Sequence, residues 1–174
     1  MSILVDDKPI EITLRYVDRN FAGGAVGVTA FLNDTDENEW VEKENRRRSE
    51  KVMELKALDK EVPKALSGDA KEDVKSLKTF WKRMDWGTQT KILTDSQRTN
   101  DVGEPTTDWT KYRLSQMTNL MKGWDLTAKV DGEDTVVPIN EKILKRMDFN
   151  IAVALIQKYE DTTTLEEEEF ENLD

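Results

Sequence analysis

The chain has 174 residues, 37% hydrophobic and 36% charged, with neither cysteine nor histidine. That length suits one domain with an appended tail. The composition excludes disulfides, thiolate nucleophiles and Cys/His zinc sites, and it removes the side chain most often used as a general acid or base near neutral pH.

The net charge of −10 is lopsided: residues 160–174 hold eight acids and no base, while residues 1–159 hold 26 basic against 28 acidic residues. The body is therefore nearly neutral and lacks the basic surface on which phosphate-backbone binding depends, so no nucleic-acid partner is expected. Five Trp, five Phe and three Tyr argue for a packed core. There is no apolar run of about eighteen residues, and the N-terminal segment lacks a basic n-region, so neither a membrane partner nor a secretory signal is expected.

Residues 1–17 predict a β-hairpin. Ile3-Leu4-Val5 leads into a turn at Asp6-Asp7-Lys8-Pro9, after which Ile10, Ile12, Leu14 and Tyr16 alternate with Glu11, Thr13 and Arg15. Gly23, Gly24 and Gly27 lack the Gly-Lys-Ser/Thr ending of a phosphate loop, so residues 20–33 read as a loop or a short strand. Asp34, Asp36 and Asn38 have the opening spacing of a calcium loop, but Glu39 and Asn45 stand where the turn glycine and the bidentate Glu belong. Asp36 or Asn38 instead predicts a helix N-cap. A charged helical segment follows over 38–62, with Val41, Val52, Leu55 and Leu58 as a thin apolar stripe and Arg46-Arg47-Arg48 as solvated face.

Asp69 predicts the cap of a second helix carrying Val74, Leu77, Phe80, Trp81 and Met84 at three- and four-residue spacing. A short helix is expected over residues 88–97 and a linker over 99–107. Asp108 caps a further helix, with Trp109, Tyr112, Gln116 and Leu120 on one flank and Leu114, Met117, Met121 and Trp124 on the other. Asp131-Gly132 predicts the turn of a small hairpin. Asp131, Glu133 and Asp134 could gather a divalent cation, although solvation is the plainer reading of three acids in a turn. Asn140 caps the next helix and Asp148 restarts it through Ile151, Ala152, Leu155, Ile156 and Tyr159. Thr162-Thr163-Thr164 closes the domain, and Leu165, Phe170 and Leu173 are spaced along the acidic end in a pattern that suits docking into a basic groove.

The expected fold is mainly α (α+β): an N-terminal β-hairpin, a helical bundle of about five helices, and an acidic C-terminal tail. The expected organisation is one mainly helical domain over residues 1–160 and a tail over 161–174.

Trp124-Asp125-Leu126-Thr127, Asp131-Gly132, Val137-Pro138-Ile139-Asn140-Glu141 and Leu144 together form a pattern that resembles the tail assembly chaperones and related tail-module proteins of long-tailed bacteriophages. The resemblance covers about residues 105–160, with residues 1–17 matching by architecture. The segment 34–70 is longer and more charged than in that family, and Met147-Asp148-Phe149 replaces its usual proline-containing turn. The resemblance implies a non-enzymatic helper in the host cytoplasm that binds tail-tube or tape-measure subunits, needs no cofactor, and uses no catalytic or metal residue. It also implies an apolar groove, with Trp109, Leu120, Trp124, Ile151 and Leu155 as its candidate lining. A virion structural component (minor tail, connector or capsid-associated protein) and a carboxylate/divalent-metal enzyme are the competing readings. Homo-oligomerisation stays open.

Overall fold

The computed structural model describes residues 8–20 and 26–171. Among the described residues there are eight strands and five α-helices. In chain order they are β1 (Ile10–Asn20), β2 (Val26–Phe31), α1 (Asp34–Ala57), β3 (Lys75–Trp81), α2 (Trp86–Ser96), β4 (Gln97–Thr99), β5 (Pro105–Thr107), α3 (Trp109–Leu120), β6 (Met121–Trp124), β7 (Thr127–Val130), β8 (Glu133–Val136), α4 (Glu141–Leu144) and α5 (Phe149–Glu171). A four-stranded antiparallel sheet runs in the order β2-β1-β3-β6, and β4-β5 and β7-β8 are two-stranded ribbons. The fold is therefore α+β around a sheet, and the expectation of a hairpin followed by a helical bundle is corrected.

Alternation in β1 holds through Leu14, with Ile10, Ile12 and Leu14 buried and Glu11, Thr13 and Arg15 exposed, but it fails at the fourth predicted inward residue: Tyr16 is half-buried and Val17 is buried instead. The strand runs on to Asn20 and pairs with β2 downstream, in register from Arg15↔Phe31 to Asn20↔Val26. The expected upstream strand at Ile3-Leu4-Val5 lies outside the described residues, as do Gly23 and Gly24.

The chain divides into two compact units. The smaller comprises Leu14–Ser76. Its helix α1 starts earlier than expected, because Asn33 rather than Asp36 or Asn38 accepts the Asp36 amide hydrogen bond at 2.9 Å. The buried residues of α1 are charged ones, Glu37 and Arg48, whereas Leu58 of the predicted stripe is exposed. Glu37 is matched by Arg15 of β1 at 3.1 Å, and Phe31 of β2 meets Trp40 of α1 at 5.7 Å. Arg15 and Val17 share one strand face, and Arg15 links that face to Glu37 of α1.

The larger unit gathers the described residues of Met1–Thr13 and Leu77–Asp174. The predicted helix at 69–84, of which only residues 77–84 belong to this unit, is corrected to a strand. Asp69 caps only a 3-10 turn, Ala70–Asp73, and the chain then extends through β3 with Leu77, Thr79 and Trp81 buried. The period-two pattern is masked in the sequence because its middle inward residue is polar. Thr79 is 0% exposed, yet its hydroxyl is satisfied: Oγ1 donates to the Ile12 carbonyl at 3.2 Å and accepts from the Trp81 indole N–H at 2.8 Å. Trp81 then stacks on Tyr159 of α5, centroids 5.0 Å apart, and the Tyr159 hydroxyl donates to the Lys82 carbonyl at 3.1 Å.

Residues 99–107, expected as a linker, supply β5 and the last residue of β4 in the β4-β5 ribbon, with Gly103 at φ 83° between the strands. The caps at Asp108, Asn140 and Asp148 are as predicted. The Thr162-Thr163-Thr164 run does not end α5. Each hydroxyl donates to a carbonyl one turn back, at 2.7, 3.0 and 2.9 Å, and the helix continues to Glu171. The first part of the expected acidic tail is thus a helical extension of the core.

Candidate partner-binding surfaces

The segment that carries the family resemblance is built from mutually satisfied residues. The Trp124 indole N–H donates to the Val137 carbonyl at 2.6 Å, and the Val137 amide bonds the Leu126 carbonyl at 2.9 Å, closing the base of the β7-β8 ribbon. At its tip Asp131 (φ 53°) and Gly132 (φ 90°) both adopt left-handed backbone, the two-residue turn that matches strand twist. Asn140 accepts the Ile143 amide at 3.0 Å to start α4. These residues hold their own segment together.

The predicted groove residues separate accordingly. Leu120, Trp124, Ile151 and Leu155 are buried in the core of the larger unit and present no open surface, whereas Trp109 is 65% exposed. The side chains of Leu165 and Phe170 are outside the described part of the structure, and so is Leu173. Two further aromatics of the same unit are exposed: Trp86 at 83%, which sequence reading missed, and Phe149 at 70%, which opens the apolar stretch 149–156 expected to be core or interface. Leu93, seven residues after Trp86 and so on the same face of α2, is exposed as well. Each of these aromatics opens a helix; Trp109 is exposed although it falls on the predicted flank with Tyr112, Gln116 and Leu120. Only their position directly after or beside a capping Asp (Asp85, Asp108, Asp148) could have hinted at it.

Asp131, Glu133 and Asp134 do not converge on a cation position. Successive strand residues 133 and 134 project to opposite faces of the ribbon, and Asp134 sits across from Lys129. Among the described residues no group of three or more carboxylates is placed to hold a metal ion. The most perturbed carboxyl is Asp85, lowered to about 2 because it accepts the Thr88 amide and is contacted by Lys82 and the Thr88 hydroxyl. This is a helix cap with a cation beside it.

In the smaller unit, α1 and residues 62–69 flank an open groove of about 760 Å³. Val52 and Met53 on one side and Val62 and Leu66 on the other supply its apolar floor, with Asn45 and Arg48 at one end and Lys56 at the other. The Arg46-Arg47-Arg48 run is only partly the solvated face expected. Arg48 is buried, donating to Glu44 (3.1 Å), to the Gly68 carbonyl (3.1 Å) and to Asp73. Arg47 is paired with the same Glu44 at 2.7 Å, which holds that carboxyl below its usual range.

No helix among the described residues is long and apolar enough to cross a membrane. Comparison with protein-family models, with curated proteins and with solved structures finds no match to this chain.

Proposed function

We propose that this chain is a non-enzymatic assembly chaperone for the tail of a long-tailed bacteriophage, holding a tail-tube or tape-measure subunit in the host cytoplasm until it polymerises. The observation that supports this reading is the exposure of Trp86, Trp109 and Phe149 on one unit. Each offers roughly 150–250 Å² of largely apolar area, and Trp is the residue most enriched among side chains that dominate protein–protein affinity. Subunits awaiting polymerisation expose apolar helices and strand edges, the surfaces such aromatics would cover. The resemblance of residues 124–144 supplies the client class, and the acidic end of the chain adds charge repulsion between copies, which favours solubility.

Co-expression with tail-tube or tape-measure protein, followed by affinity capture, tests the proposal. The parent chain should retain one of them, and the triple variant Trp86→Ser, Trp109→Ser, Phe149→Ser should lose it with its circular dichroism spectrum unchanged. Retention of neither client, or stoichiometric presence of the chain in purified particles, would overturn the chaperone reading.

A further inference from the structure

We propose that residues 59–69 form a flap against α1, hinged at Asp59 and latched by Asn45 and Arg48, which opens while α1 and the β1-β2 pair stay folded. Three observations on the smaller unit converge on this. The first is how the flap is attached. At its start Leu58 and Lys60 amides close the end of α1 on Glu54 and Leu55 carbonyls, and Asp59 between them has left-handed backbone, φ 54°. At its far end Asn45 donates to the Asp69 carboxylate at 3.0 Å and accepts the Ala70 amide at 2.8 Å, while Arg48 holds the Gly68 carbonyl at 3.1 Å. Between these ends, residues 61–67 make no hydrogen bond to α1 among the described residues. Their bonds are internal, Leu66 and Ser67 amides to Pro63 and Lys64 carbonyls.

The second observation is the weakness of the apolar contact. The 3-10 turn Lys64–Leu66 has no buried residue, and Val62 and Leu66 are only half-buried. The third is the groove of about 760 Å³ between flap and helix. Apolar groups lining an open groove are less closely packed than those of a core and gain correspondingly less dispersion energy. The segment is thus retained mainly by two side chains at one end, whereas just beyond them Ala70 is fully buried and marks where the flap stops. Low local stability with intact flanks is the physical basis of sub-global opening.

Native-state trypsin cleavage of the full chain, with fragments identified by mass spectrometry, tests the flap. Lys60 and Lys64 lie within it, and Arg46, Arg47, Lys51 and Lys56 lie on α1. When cleavage is slow relative to reclosing, its rate follows the population of the open form. Asn45→Ala should raise cutting after Lys60 and Lys64 by roughly thirtyfold, as expected for losing two hydrogen bonds at once, with α1 cut no faster than in the parent. Unchanged cutting would show that Asn45 is not a latch. Equal acceleration at the α1 sites would show that flap and helix unfold together; either result overturns the proposal.

Discussion

Replacing Thr79 by Val keeps the shape of the side chain and deletes its hydroxyl, so it isolates the polar pair hidden in β3. Both Thr79 and Trp81 are 0% exposed, and Oγ1 is the acceptor of the indole N–H at 2.8 Å. Water cannot reach the orphaned indole. A buried donor left without a partner costs about 1–3 kcal/mol, and the methyl that replaces the hydroxyl returns at most ~1 kcal/mol of apolar transfer. The net loss should be about 1–2 kcal/mol, or a fall in Tm of roughly 3–8 °C for a chain of this length. Thr79→Ser retains the acceptor and loses one methyl, about 1 kcal/mol or less. The discriminating measurement is a double-mutant cycle with Trp81→Phe, followed by urea denaturation. In the Phe background Thr79→Val should cost about 1 kcal/mol less than in the parent. A coupling indistinguishable from zero, or a Val variant as stable as the parent, would refute the account of why a polar residue sits at that position.

Two further outcomes are expected. Because the folded pKa of Asp85 lies at about 2, below its ordinary 3.8, its capping contribution is present above the ordinary value and is lost as pH falls through it toward 2. Amides at the start of α2 should therefore lose exchange protection over that window in the parent, and Asp85→Asn, which keeps an acceptor without the charge, should flatten the dependence. Truncation after Thr164 removes six acids and takes the net charge from −10 to −4 (−10 + 6), while leaving the Trp81–Tyr159 stack in place. A cooperative melt should survive with lower solubility; disappearance of the melt would show that the last turns of α5 are structural.

Much of the local punctuation was legible from residue order alone. Asp108, Asn140 and Asp148 start helices and Asp131-Gly132 turns a ribbon because each of these devices is completed by residues within three positions, so no distant partner can overrule it. The alternation of Ile10, Ile12 and Leu14 likewise declared a strand with one face inward. What tertiary structure decided are the features whose partners are remote. Residues 75–81 extend because β6 pairs along one edge and Ile12 accepts from Thr79, which overrides a helical spacing of Leu77, Trp81 and Met84. Arg48 lies inside because Gly68 and Asp73, twenty or more residues on, complete its hydrogen bonds.

The candidate surface was split by the same rule. Trp124 went to the core because Val137 takes its indole N–H, and Trp86, Trp109 and Phe149 stayed outside because they precede the faces that pack. Composition and short-range chemistry thus determined which elements could begin and turn where they do, while long-range pairing decided which residues were left exposed.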